Sequence, residues 1–262
     1  VPLMEEQPYE AIRNNVLGTK IMADLAVEHG VEKFVMISTD KAVNPTSVMG
    51  ATKRICEIYI QWHSRKPQGR TRFITTRFGN VLGSSGSVIP LFRSQIRAGG
   101  PVTVTHRDII RYFMTIPEAS RLVLEAGSIG EGGEVFLFNM GEPVRIYDMA
   151  EKMIRLSGFL PYKDIDIVET GLRPGEKLYE ELLANQETSA SIDHGKILIA
   201  HTPSVNLEET SVRIQDLLDH LQTENDEGLV ARMREIVREY QPAHSHFAQN
   251  ILPGGVKNQE LT

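Results

Sequence analysis

The sequence contains a single cysteine, Cys56, so no internal disulfide is available, and nothing in it has the spacing of a zinc site. That usage fits a reducing compartment. No run reaches the ~18 consecutive apolar residues that a membrane-crossing helix requires, and no signal peptide opens the chain. A basic excess is lacking too. Lys and Arg total 28 against 34 Asp and Glu, a net charge of −6, which argues against nucleic acid as a partner. There is no internal repeat and no low-complexity tract, and the histidines form no metal-like cluster. What remains is ordinary for a soluble globular protein: 41% apolar and 24% charged residues in a chain of 262, enough for a real core. The first residue is Val1, not Met, and a helical pattern follows at once, as expected for part of a longer protein.

Helix and strand patterns alternate along the first hundred residues. Ile12, Val16, Ile21, Met22, Leu25 and Ala26 fall at helical spacing between Tyr9 and His29, and Gly30 stops that helix. Lys33 to Ser38 is a nearly continuous apolar run, which predicts a strand buried on both faces. Ser47 to Ser64 predicts a helix with Ser47 as its N-cap, Thr71 to Phe78 a second strand, and Ser87 to Ala98 another helix. This succession implies parallel strands in a doubly wound α/β sheet, whose ligands sit beyond the carboxyl ends of the strands. From Val102 onward the elements are shorter. Strands are expected at Val102–Thr105, Ile109–Met114, Val135–Asn139 and Ile165–Glu169, and helices at Pro117–Ala126 and Ile146–Ser157. Leu207–Leu221 and Glu227–Tyr240 read as amphipathic helices, and the last twenty or so residues as a tail. The expected division is 1–101 for the sheet with the active site, 102–186 for a smaller α/β substrate-binding region and 187–262 for a helical extension and tail.

Two strand ends carry chemistry. Ser38-Thr39-Asp40-Lys41 sets a hydroxyl, an acid and an amine side by side. Such a carboxylate–amine pair can divide acid and base roles, and it also fits a solvated loop with an incidental salt bridge. Met49 and Lys53 are four apart on a predicted helix and point the same way. A lysine there can hold the ribose hydroxyls of a dinucleotide; taken alone it equally fits a surface lysine on an amphipathic helix.

Together these stretches resemble extended short-chain dehydrogenases/reductases, and more closely the nucleotide-sugar 4,6-dehydratases of the CapD-type polysaccharide-biosynthesis family. The matching segments are Ile37–Pro45, Val48–Arg54, Thr76–Gly83, Arg111–Thr115 and Thr170–Lys177, within a resemblance that runs from Val1 to about Leu183. It implies the C-terminal part of a Rossmann-like doubly wound parallel sheet, with NAD as cofactor and a UDP-sugar as substrate, UDP-N-acetylglucosamine in particular. Two features depart from the usual pattern. Met49 stands where the superfamily has its catalytic tyrosine, and Met has no ionisable proton. This is similar to the long, membrane-anchored branch of the family, and leaves Thr39, Asp40 or an ordered water to take the C4 hydroxyl proton. No Gly-x-x-Gly-x-x-Gly follows a strand; the family's pattern puts it upstream of Val1.

The resemblance implies oxidation at C4, loss of the C5 proton and the C6 hydroxyl as water, and return of hydride to C6. It makes Asp40 the general acid at C6 and Lys41 the base at C5, with Thr39, Met49 and Lys53 completing the catalytic group. It further implies cofactor contacts from Asn15, Ser38, Lys53, Phe78 and Val81. Substrate contacts are implied from Asn80, from Ser87 and Val88 at a helix start, from Arg111 and Arg173 as diphosphate clamps, and from Glu176 on ribose hydroxyls. The helices at Tyr9–His29 and Ser47–Ser64 match those of a four-helix dimer interface, so a homo-oligomer is expected. A parent protein on the cytoplasmic face of the inner membrane is also expected, with membrane contact only through upstream segments and little activity in this chain alone. Two other readings stay open: a nucleotide-sugar epimerase or reductase, and a catalytically silent NAD- or UDP-sugar-binding module.

Overall fold

A computed structural model describes residues 1–66, 70–84, 86–181, 183, 188–192, 197–201 and 206–249. Its centre is a five-stranded sheet. Strands β1 (Lys33–Thr39), β2 (Arg72–Phe78) and β7 (Val135–Phe138) run parallel. β11 (Ile197–His201) and β10 (Thr188–Ile192) extend that sheet antiparallel, in the order β1-β2-β7-β11-β10. The parallel pairing is the one the alternating pattern predicts. The antiparallel hairpin is not, because its short strands lie where the periodic signal has faded. The main sheet also draws β7 from the stretch after Val102.

Strand alternation assigns the two faces. Met36 and Phe73 pack with α4 (Val48–Ser64), while Ile74 and Phe136 pack with α6 (Ile116–Ile129) on the other side. The sheet is thus covered on both faces, but β1 is its outer strand. Ile37 is 51% exposed there, and Phe34 and Val35 are only half-buried. The expectation of a strand buried on both faces is corrected accordingly: an outer strand lacks a neighbour to complete its cover.

The first predicted helix is interrupted. It runs as α2 (Pro8–Ala11), a π turn over Ile12–Leu17 and α3 (Gly18–Glu28), with Gly30 beyond it in the left-handed region at φ 64°. Ile12, Val16, Ala23 and Ala26 are buried; Ile21, Met22 and Leu25 form a second stripe that stays exposed.

α4 is buried on nearly every side. Its outer face is covered by α8 (Leu207–Asp219) and α9 (Asp226–Ile236), whose Leu217 and Met233 are fully buried in the same core as Ile55 and Ile58. Each such side chain stabilises the fold by about 1.5–3 kcal/mol. α4 is thus largely covered within the chain itself, whereas Ile21, Met22 and Leu25 of α3 remain exposed. The C-terminal helices that cover it were legible as amphipathic, but their target was not.

A second core gathers Phe92 and Ile96 of α5 (Val88–Arg97), Val102 and Val104 of β4 (Val102–Val104), and Ala150 and Ile154 of α7 (Ile146–Leu156). The single strand expected over Ile109–Met114 is two. β5 (Ile110–Arg111) pairs with β8 (Val144–Arg145), and β6 (Phe113–Met114) pairs with β3 (Asn80–Val81). β9 (Ile167–Glu169) lies parallel to β4.

The expected tail is ordered up to Gln249, and residues 250–262 lie outside the described residues. Gln241 and Ala243 donate backbone hydrogen bonds to Pro45 and Thr46, and Gly175 donates to Ala243. Ser245 and Phe247 are buried. This stretch therefore braces two loops that border the site. Among the described residues no helix is long and apolar enough to cross a membrane.

Candidate active site

At the carboxyl end of β1 the chain turns into a short 3-10 segment, Asp40–Ala42. The Thr39 side chain accepts the Lys41 amide hydrogen bond at 3.4 Å and its hydroxyl donates to Asp40 Oδ1 at 2.9 Å. Lys41 Nζ donates to the same Oδ1 at 3.0 Å and to Asn80 Oδ1 at 3.1 Å. Asn80 arrives from β3, just past the end of β2, so the two strand ends meet at this amine. Asp40 is fully buried, and its Oδ2 has no hydrogen-bond partner among the described residues. Its immediate neighbour across the site is Gly79, where an added Cβ would lie 2.9 Å from that oxygen.

Lys41 and Asn80 line a cavity of about 480 Å³. Of the other residues expected to touch ligand, Val81, Ser87, Val88, Arg111, Arg173 and Glu176 also line it. Ser87 is the N-cap residue of α5 but makes no side-chain cap bond, and its buried Oγ has no partner among the described residues. The free amides of the helix start and this hydroxyl make a receptive place for an anion.

The two arginines differ. Arg173 is exposed and pairs with Glu176 at 3.2 Å. Arg111 is buried, and its guanidinium donates to the Leu178 and Lys177 carbonyls at 3.2 and 2.7 Å. It pins the 176–180 segment while still lining the cavity. Burial would raise Glu176, but the hydrogen bonds and charge of Arg173, with Arg111, hold its carboxyl below the usual range.

Asn15, Ser38, Thr39, Asp40, Met49, Lys53 and Phe78 do not line the cavity; Asp40 is reached from it through Lys41. Asn15, inside the π turn, donates to Thr52 Oγ1 at 2.8 Å, and Thr52 in turn donates to the Met49 carbonyl at 2.8 Å. The π turn thus holds the first turn of α4. Lys53 Nζ donates to the Ile37 carbonyl at 3.0 Å, beside the open face of β1, where a cofactor hydroxyl would also find it. Phe78 packs on Phe138, with ring centroids 6.1 Å apart.

The Ser38 hydroxyl is turned to the α4 side and donates to Glu57 Oε1 at 2.7 Å. Glu57, fully buried, also accepts from Arg77 at 2.7 and 2.6 Å and from Arg54 at 3.0 Å. Burial opposes its charge, but Arg77 first, then Arg54 and Ser38, hold the carboxyl at about 2. The opposite edge of α4 is tied down by Glu5, whose carboxylate accepts the Val48 amide hydrogen bond.

Sequence reasoning missed Glu180. It is buried, with Oε1 3.8 Å from Lys41 Nζ and 3.7 Å from Arg111 Nε, and it lines the cavity. In Leu178-Tyr179-Glu180-Glu181 nothing distinguishes the inward glutamate from Glu181, which the structure leaves exposed. Among the described residues no cluster of His, Cys, Asp and Glu could hold a metal ion.

Comparison with known proteins identifies the family. The chain is 56% identical over 224 residues to the capsular polysaccharide biosynthesis protein CapD of Staphylococcus aureus, covering 86% of this chain and 37% of that protein. It is 55% identical over 199 residues to the probable polysaccharide biosynthesis protein EpsC of Bacillus subtilis, covering 76% of this chain and 33% of that protein. It therefore spans about a third of the length of these relatives. Among solved structures it is similar to Pen from Bacillus thuringiensis, with a TM-score of 0.70 and 33% identity, over 82% of this chain and 72% of that one. The profile of the family described as polysaccharide biosynthesis protein matches residues 1–202, and the chain belongs to that family.

Proposed function

We propose that this chain carries the acid–base and substrate-binding part of an NAD-dependent nucleotide-sugar 4,6-dehydratase acting on a UDP-N-acetylhexosamine. The observation that carries the reading is the Asp40–Lys41 pair, 3.0 Å apart and opening through Lys41 and Asn80 onto a cavity that also holds Arg173 and the start of α5. Elimination across C5 and C6 requires an acid and a base on adjacent atoms. Inversion at C4 alone requires no such pair, which favours dehydration over epimerisation.

NAD fits the residues present in part. The Lys53 ammonium at the open face of β1 suits ribose hydroxyls of its nicotinamide half, whereas the chain contains no glycine-rich turn for the diphosphate bridge. When bound, NAD would accept hydride from C4 and supply it to C6. Every proton then belongs to the protein. Met49 can take none. Thr39, hydrogen-bonded to Asp40, relays the O4 proton to that carboxylate. The 4-ketone acidifies C5, and Lys41 removes the C5 proton. Asp40 passes its proton to the departing C6 hydroxyl, which leaves as water, and Lys41 returns a proton to C5. The UDP diphosphate lies toward Ser87, the α5 start and Arg173.

The test is product identity. The intact protein with UDP-N-acetylglucosamine should give a 4-keto-6-methyl sugar lighter by one water, seen by mass spectrometry and NMR, and Asp40→Asn should abolish it. A C4-inverted sugar of unchanged mass would assign an epimerase. An unchanged sugar despite binding of both ligands would assign a silent module.

A further inference from the structure

The proposed chemistry leaves one proton without a destination. Lys41 Nζ lies between two buried carboxylates, at 3.0 Å from Asp40 and 3.8 Å from Glu180, and an ordinary lysine amine carries a proton at neutral pH. A base at C5 has to arrive without that proton. Asp40 cannot receive it, because Asp40 takes the O4 proton and holds it for O6. We propose that Glu180 accepts the proton of Lys41 before each C5 abstraction and returns it at the end of the cycle, an inference that rests on Lys41 being the C5 base. An N–H bond at Lys41 breaks and an O–H bond at Glu180 forms. An ion pair becomes a neutral pair, and nothing else is consumed. Glu180 acts through Lys41 and is a positioning residue for its proton.

Several observations support this. Glu180 is 7% exposed, and its Oε2 has no hydrogen-bond partner among the described residues, so an oxygen is available to carry a proton. The charged groups around it are Lys41 and Asp40 of the 3-10 turn, Arg111 of β5 and Lys177 of its own segment. Burial pushes its carboxyl above the ordinary range and Asp40 pushes the same way; the three cations pull it back without cancelling the rise. Neutralising Asp40 with the O4 proton leaves Glu180 as the one charged carboxylate of the pair beside Lys41. The 3.8 Å gap is longer than a hydrogen bond. Transfer therefore requires the flexible lysine stem to swing from Asp40 toward Glu180, or one bridging water.

Glu180→Gln keeps the shape and removes the acceptor. With Glu180 present, one proton is shared within the pair, so the fraction of neutral Lys41 is constant across neutral pH. The kcat profile of the intact protein is therefore expected to be flat there. In Glu180→Gln, Lys41 must lose its proton to solvent, and kcat should rise about tenfold per pH unit toward alkaline pH. Glu180→Asp should restore part of the plateau, and Glu181→Gln, at the exposed neighbour, should leave the profile unchanged. A Glu180→Gln enzyme that is slower but keeps a flat profile would overturn the proposal and leave a packing role. If Lys41→Ala blocks hydrogen exchange at C5 while Glu180→Gln stays flat, only the role of Glu180 falls. If Lys41→Ala still exchanges C5, the base assignment fails and takes this inference with it.

Discussion

Glu57→Gln should destabilise the protein severely, although the residue touches no part of the cavity. Glu57 and Arg77 are 0% and 1% exposed, and their two hydrogen bonds tie α4 to β2, while Ser38 ties the same carboxylate to β1. A glutamine keeps the volume but leaves the Arg77 guanidinium buried opposite a neutral amide. Breaking a buried pair from one side costs about 3–5 kcal/mol. Linkage gives a similar figure: lowering the carboxyl from 4.5 to about 2 is worth roughly 3 kcal/mol at neutral pH. The sign follows from a depressed value. The contribution is complete above the ordinary carboxylate range and disappears as pH falls from there toward about 2. Urea unfolding at pH 7 should show the full loss, and the gap between wild type and variant should close on acidification. Replacing both partners, Glu57→Leu with Arg77→Met, should cost less than the single change, since the fully buried Arg77 charge goes with its partner and Arg54 keeps its bond to Glu239. A single-variant loss below about 1 kcal/mol, or a gap independent of pH, would refute this reasoning.

Two further outcomes follow from local geometry. Gly79→Ala places a Cβ 2.9 Å from Asp40 Oδ2 and 3.2 Å from the Tyr112 carbonyl, so Asp40 must move; turnover should fall about tenfold or more while nucleotide binding by calorimetry is retained. Cys56 is fully buried and its thiol is pushed up to about 11, chiefly by burial, so thiol reagents should label it only on unfolding; fast labelling of the native protein would contradict the packing of α4.

The sequence was informative where the chemistry and the periodicity are local. The Asp40–Lys41 adjacency, the Ser47 cap on α4 and the strand ends carrying Thr39 and Asn80 are all readable from neighbouring residues. What escaped depends on long-range pairing. Ser38 and Thr39 are adjacent, and only the strand's alternation sends one hydroxyl to Glu57 and the other to Asp40. Arg111 also holds the carbonyls of Lys177 and Leu178, a second role that only the folded chain brings to it. Glu180 lies 139 positions beyond Lys41 in a segment with no turn or period to fix which glutamate faces inward. The cover on α4 likewise comes from helices more than 140 residues downstream.

The central claim is that Lys41 removes the C5 proton within an elimination completed by Asp40. It is tested most directly by mass spectrometry and NMR of UDP-N-acetylglucosamine incubated in deuterated water with the intact protein and with its Lys41→Ala variant. The account predicts loss of one water with deuterium at C5 for the wild type, and neither exchange nor dehydration for a Lys41→Ala protein that still binds NAD and the sugar nucleotide. Dehydration with C5 deuterium in the Lys41→Ala variant at the wild-type rate would contradict it.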